Sequence, residues 1–451
     1  MGGTAPSESE PPREPLLSIA WKILLGGLLL REAFSFWTGS TYDFEVWLRT
    51  AHAVAQGFNP YTSFLGPVPG VSYAYLTTRL PSAAYLPFWS GILGELYRAW
   101  EVIGGNNRFV LYFLIKQLPI LGDVLTAGLL YRLVLRWTGD RTRALAVLTF
   151  WSFFPYAIII FAIWGQFDSI VVATILATLL YRDPIERNLL YGWGIFVKWI
   201  TAIYLPFEIF RSRGLRRWTF LLALALPLGL TVAVFFLEGW SFAGISATAQ
   251  SQTAGGGGGM TYVGIVTGPV VSTIFKPIPY LFTALSYLYV PGVILAGWVA
   301  SRWVGSGSPK SEVGALLLIT TVFLLLRWGL YEQYMPYLFA LLALDVAAFH
   351  PGREPFLRYL WLLSLVYLLF NNDFGARFVT PLDPSLFTTL TYLDQTLTYG
   401  AVRIWALDIL DIGITLSLVQ WIFEVLRDRD RPIPWLWPWG MPATEPGASA
   451  S

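Results

Sequence analysis

The sequence predicts an all-α polytopic membrane protein, a bundle of about 12 spanning or partly penetrating helices, and three observations carry that expectation. The 451-residue chain is 55% hydrophobic and only 13% charged, whereas soluble domains carry about 25% charged residues. Runs such as WTFLLALALPLGLTVAVFFL, beginning at Trp218, reach the ~20 residues needed to cross ~30 Å of hydrocarbon. The 21 Trp and 23 Tyr suit a chain that meets lipid–water boundaries many times. A net charge of +2 points away from a nucleic-acid partner. With no Cys and only His52 and His350, neither a disulfide framework nor a thiolate or histidine metal centre is expected.

Taken in order, apolar runs place spans near 17–37, 108–131, 144–163, 168–182, 218–237, 280–301, 312–330, 334–349, 357–372 and 403–426. Residues 1–16 are acidic and Pro-rich and lack the basic start and small-residue exit of a cleavable signal, so they read as a cytoplasmic tail before a retained anchor. The stretch 188–210 is apolar but broken by Lys198 and Pro206 and followed by Arg211, Arg213, Arg216 and Arg217. Read as a short helical hairpin, it lets 17 of the 30 Lys and Arg residues gather in cytoplasmic loops, as the positive-inside rule expects. Read as one span, it inverts every later loop and that bias collapses. The hairpin reading gives a multi-pass protein of the cell membrane, with a single module over 17–430. It leaves a Pro/Trp-rich cytoplasmic tail at 431–451, cytoplasmic termini, and external segments at 38–107, 238–279 and 373–402. Gly255–Gly259 in the second external segment reads as a flexible connection, or as a mobile lid.

The first external segment opens with TYDFEVWLRTAHAVAQGFNPY. Phe44, Trp47, Leu48, Ala51, Val54 and Ala55 recur at helical spacing, which predicts an amphipathic helix on the outer surface. Leu80–Trp100 repeats the pattern. Asp43, where the first span emerges, is either the cap of this helix or a base at the membrane boundary.

These residues carry a resemblance. An acid in the first external loop, a surface helix ending in GFNPY, then GQFDS (Gly165–Ser169), GWGIFVKWITAIYLP (Gly192–Pro206) and YEQYMPY (Tyr331–Tyr337) follow in an order similar to that of the GT-C glycosyltransferases. The resemblance is to the catalytic subunit type of GPI mannosyltransferase I. The family's D-x-D reads Asp43-Phe44-Glu45 here. Likeness to that family implies a membrane hexosyltransferase. It would move a sugar, mannose at the family level, from a polyprenyl- or dolichyl-phosphate donor to a lipid-linked glycan or other acceptor outside, with inversion. Asp43 would be the base. Glu45, Asp168, Lys198, Arg327, Glu332, Gln333, Tyr334 and Arg377 would bind substrate. No cofactor is expected beyond the lipid-phosphate sugar, although a D-x-E pair could hold a divalent metal.

Charges inside spans are costly and raise functional hypotheses by default, but each has a plainer reading. Lys116 and Asp123, seven residues apart on one helix face, are a structural pair or pair with other helices. Asp168 caps the following helix or lines the site. Arg327 and Glu332 pair with each other or bind substrate. Asp408 and Asp411 share a face, with Arg403 a candidate partner. Tyr331, Tyr334 and Tyr337 form an interfacial belt or a sugar platform. A secondary transporter or an oligosaccharide flippase would share the helix count, broken helices and buried charges. The absence of matching halves and the gathering of charges toward one face argue against the transporter, and the flippase stays open.

Overall fold

The computed structural model describes residues 14–62, 65–68, 86–245, 259–267, 287–304 and 308–427. The tail at 431–451, Lys276 and Gly255–Gly258 lie outside them. The described residues are helical, with one isolated bridge between Gly259 and Leu330. In chain order the helices are α1 (Glu14–Ser35), α2 (Thr41–Ala55), α3 (Pro87–Val102), α4 (Arg108–Thr138), α5 (Arg141–Ser152) and α6 (Pro155–Ile158), which runs on as a π-helix at Ile159–Trp164. Next come α7 (Asp168–Thr178), α8 (Pro184–Val197), α9 (Leu205–Arg211), α10 (Phe220–Leu237), α11 (Tyr262–Thr267), α12 (Tyr289–Trp303) and α13 (Pro309–Leu326). The last are α14 (Met335–Ala348), α15 (Glu354–Asn371), α16 (Ser385–Gln395) and α17 (Leu397–Arg427).

Four of these helices are long and apolar enough to cross a membrane, or five if α5 and its π-helical continuation, bent by 42°, form one broken span. The outward faces say what solvent they meet. Leu221, Leu224, Leu228, Val232 and Phe236 of α10 are exposed, as are Val402, Trp405, Ile409, Ile412 and Leu416 of α17, at the three- and four-residue steps of one helix face. Each such side chain forgoes about 1.5–3 kcal/mol if left in water. Hydrocarbon is the medium that fits them, and the chain is a membrane protein.

Two of the expected spans are shorter than expected. The run at 168–182 yields α7, of 11 residues, and that at 334–349 yields α14, of 14 residues, about 16 and 21 Å of helix. Every residue from Met335 to Asp345 is buried. An all-round apolar helix can be enclosed by protein as well as by lipid, and α14 is the central element of the core.

The stretch 188–210 folds back on itself. The helix stops at Lys198, whose backbone is extended (φ −158°, ψ 126°), and resumes as a 3-10 turn at Trp199–Tyr204 and then α9. Arg187 and Glu208, 21 residues apart, are joined by a 2.7 Å ion pair, and the Tyr191 and Tyr204 rings stack at 5.7 Å. A straight helix would put the first pair about 30 Å apart. The hairpin therefore has a foot at Arg187/Glu208 and an apex at Lys198.

The foot defines one end of the bundle. Arg187 and Arg211 each reach Glu312 of α13 at 2.9 Å. At that same end Arg136 donates to the Leu180 carbonyl, and Arg353 to Asp345 and the Glu424 carbonyl. Arg136, Arg187, Arg211 and Arg353, four of the basic residues grouped by the hairpin reading, lie at this end. α13 then rises about 27 Å to Arg327, which lies beside Trp199 at the apex.

α2 and α3 pack beside that apex, through Trp47 on Phe167 and Phe88 on Phe196. α2 is buried on most sides, because Arg49 neutralises Glu45 at 2.5 Å and donates to the Leu65 carbonyl, so its polar side can be covered too. α3 crosses it at Gly94, where a Cβ would sit 2.1 Å from Val54 Cγ1.

Candidate active site

Asp43 lies in the first turn of α2, but Ser40 is the cap: its hydroxyl accepts from the Asp43 N–H. The cap reading of Asp43 is therefore corrected, and its carboxyl is free to face the bundle. Oδ2 accepts 2.7 Å hydrogen bonds from Trp164 Nε1 and Gln166 Nε2. Gly165 between these donors has φ +92°, and a Cβ there would meet the Phe44 ring at 2.7 Å. This left-handed turn needs glycine, and it lets both donors aim at one oxygen. Burial raises the Asp43 carboxyl above the usual carboxylate range. The Trp164 hydrogen bond and Lys198 oppose that shift, and Asp168 adds to it.

Asp168 opens α7 without capping it. It instead receives both 2.8 Å bonds of the Lys198 ammonium and a 2.5 Å bond from the Tyr337 hydroxyl. Lys198 can point this way because the helix breaks there. Its Nζ sits 4.9 Å from the Tyr334 ring centroid and 5.4 Å from that of Phe167. Arg327, at the end of α13, is ringed by Trp199, Tyr334, Phe323 and Tyr289 at 4.7, 5.3, 5.5 and 5.6 Å. Two cations thus share the Tyr334 ring. Tyr334 and Tyr337 are buried, while Tyr331 is exposed, so the belt reading fails for the first two. Aromatic spacing along a chain cannot distinguish a membrane interface from a cation platform.

Glu332 precedes Tyr334 in a short 3-10 turn. It accepts a 2.5 Å bond from Asn371. Burial raises its carboxyl, the Asn371 bond opposes this, and Asp43 adds to it. Asp43, Asp168, Lys198, Arg327, Glu332 and Tyr334 therefore converge at one end of the bundle. Gln333 is half-buried beside them, and its Oε1 has no hydrogen-bond partner among the described residues.

The other expected site residues stand apart. Glu45 is two residues from Asp43, some 200° around the helix, and is bonded to Arg49. Asp43 and Glu45 therefore face different neighbours, and among the described residues no group of three or more His, Asp or Glu side chains is arranged to hold a metal ion. Arg377 is tied to Asp373 at 2.5 Å and to Asp394. It touches the site only through its backbone, whose carbonyl accepts from Thr41.

Two alternatives left open by the sequence are decided. Lys116 and Asp123 have separate partners: Asp123 binds Arg31 at 2.6 Å and Trp151 at 2.7 Å, while Lys116 donates to Thr38 and to Ile163. Arg403 pairs with Asp394 at 2.6 Å rather than with Asp408 or Asp411, because it lies at the apex end of α17. Trp164, Gln166, Tyr337 and Trp199 complete the site. Gln166, Tyr337 and Trp199 carried a signal, as members of GQFDS, YEQYMPY and GWGIFVKWITAIYLP; Trp164 carried none.

Beside the apex, α3, α8 and α10 leave a groove of about 260 Å³, lined by Phe88, Gly91, Ile92, Phe196, Val234 and Leu237, with Glu95 and Glu238 also on its wall. Phe196 is two residues from Lys198.

No family model matches the chain, and no curated protein matches it. Among solved structures the chain is similar to ArnT from Cupriavidus metallidurans bound to undecaprenyl phosphate. The identity is 14%, the TM-score 0.41, and the match covers 91% of this chain and 76% of that one.

Proposed function

We propose that this chain is an inverting membrane glycosyltransferase that takes a sugar from a polyprenyl-phosphate-type donor. The observation that carries the reading is the pairing of a half-buried carboxyl held by two N–H donors, Asp43, with two cations sharing one tyrosine ring, Lys198 and Arg327. Transfer from a lipid phosphate needs both. An acceptor hydroxyl attacks the anomeric carbon, its proton passes to the Asp43 carboxylate, and the bond from that carbon to the phosphate oxygen breaks. The departing lipid phosphate gains negative charge, which Lys198 and Arg327 offset. They take the part a divalent ion would otherwise play. A single displacement with one base inverts the carbon. The groove between α3, α8 and α10, with its apolar wall of Phe88, Ile92, Phe196, Val234 and Leu237, is the place we assign to the first isoprene units of the donor. Asp168 and Tyr337 orient Lys198, and Glu332 and Gln333 bind the sugar or the acceptor. Mannose is the first sugar to test, on the resemblance of the motifs.

The test is purified protein in lipid nanodiscs with radiolabelled polyprenyl-phosphate hexoses, mannose among them, and a panel of lipid and glycan acceptors. Label moving into an acceptor, lost in Asp43→Asn, is the expected result. Wild-type protein that binds these donors and transfers nothing to any acceptor sinks the reading.

A further inference from the structure

Lys116 is fully buried in α4. A Met would fill the same space without an ammonium, so the charge calls for a use. Its three N–H donors are all engaged: the Thr38 carbonyl at 2.7 Å, the Thr38 hydroxyl at 2.8 Å and the Ile163 carbonyl at 3.1 Å. Neither acceptor segment is arbitrary. Thr38 begins the turn 38–41 that delivers Asp43 into α2. Ile163 precedes Trp164, and with Gln166 that segment supplies both donors to the Asp43 carboxyl. The two segments otherwise meet through one long bond, Ser40 N–H to the Trp164 carbonyl at 3.4 Å. Gly165 lets the stem of Lys116 pass: a Cβ there would lie 3.3 Å from Lys116 Cε.

We propose that Lys116 is a positioning residue for Asp43, its ammonium fixing the turn that carries the carboxyl against the segment that carries the carboxyl's two N–H donors. The assignment of Asp43 as base rests on the function proposed above; the clamp itself does not. If Lys116 is lost, the Trp164 and Gln166 bonds to Asp43 lengthen. Those bonds favour the charged form, so the carboxyl then holds its proton to higher pH. The other groups acting on Asp43 are Lys198, Asp168 and Glu332, with Tyr42 and Tyr331 nearby. None of them is altered by the substitutions below.

The experiment is an infrared pH titration of the Asp43 carboxyl band in nanodiscs, with the band assigned by its absence in Asp43→Asn. Lys116→Met raises the midpoint, Lys116→Arg restores it in part, and Thr38→Val, which keeps every charge and removes the hydroxyl's bonds to Lys116 and to the Phe34 carbonyl, raises it by less. Unchanged midpoints in folded Lys116→Met and Thr38→Val overturn the proposal. If Lys116→Met does not fold, Thr38→Val decides alone. Where transfer is observed, kcat falls by on the order of 10²-fold in Lys116→Met for a displacement near 1 Å, while the donor KM stays within about threefold. A wild-type protein without transfer activity removes the transferase reading, and the infrared midpoints still judge the clamp.

Discussion

The foot and the apex of the helical hairpin hold similar charges in opposite ways. At the foot, Arg187 and Arg211 face Glu208 and Glu312 in a closed set of four bonds between 2.7 and 3.0 Å. Each cation there is matched by a carboxylate, and Arg187 and Glu208 are out of reach of water. At the apex, Arg327 is surrounded by four aromatic rings, and Lys198 shares one of them while its ammonium pairs with Asp168 at 2.8 Å. A ring quadrupole holds a cation without cancelling its charge. The foot therefore sets two cations against two carboxylates, whereas the apex sets two cations among aromatic rings with Asp168 as the carboxylate on Lys198. Seen this way, burial alone does not separate structural from functional charges; the nature of the partner does.

The strongest way to break this comparison is at the base. Asp43→Asn should lower transfer by about 10²–10⁴-fold with the thermal midpoint in nanodiscs preserved. The wild-type acid limb sharpens the same point. Burial raises the Asp43 carboxyl, and the base must be ionised to work. Rate should therefore fall as pH drops through a midpoint above the usual carboxylate range, with no loss from this group on the alkaline side. An acid limb at an ordinary carboxylate pH would remove Asp43 from the role.

At the foot the prediction concerns stability. Glu208→Ala leaves the buried Arg187 with Glu312 alone, and breaking a buried pair from one side costs about 3–5 kcal/mol. A lowered melting temperature is expected, with transfer per folded molecule within about threefold of wild type. Lost transfer at an unchanged melting temperature would make the foot part of the site. At the apex Lys198→Met should cost about 10²–10³-fold in transfer, the scale of losing one charge-stabilising group. The paired change Lys198→Met with Asp168→Asn removes the uncompensated carboxylate. If Lys198 serves only to neutralise Asp168, the double variant recovers activity; if it meets a phosphate, it does not.

The hairpin was legible because Arg residues after 210 and the break at Lys198 constrain the path of the chain. Asp168, Lys198, Arg327 and Glu332 were legible as charges in apolar surroundings. What they touch was not. Lys116 and Asp123 share a helix face, yet each bonds to residues at least 28 positions away, and periodicity along one helix says nothing about partners on others. The length of α14 was hidden for a related reason: a helix inside protein and a helix inside lipid are written in the same apolar letters. Trp164 was invisible, and Trp199 was visible only as a letter of a quoted motif, because an indole donor or a cation platform has no pattern of its own among 21 tryptophans.

The mildest prediction tests the aromatic half of the comparison directly. If the Tyr334 ring holds Lys198 and Arg327 by its quadrupole, then Phe should serve almost as well as Tyr, and Leu should not. A desolvated cation–π contact contributes about 0.5–2 kcal/mol, so Tyr334→Leu should raise the donor KM by about 3–20-fold, while Tyr334→Phe stays within about twofold. Leu and Phe have similar apolar bulk, so equal behaviour of the two variants would mean that the ring only fills space. The two cations would then be placed by Asp168 and by the backbone breaks alone, and the contrast between apex and foot would reduce to geometry.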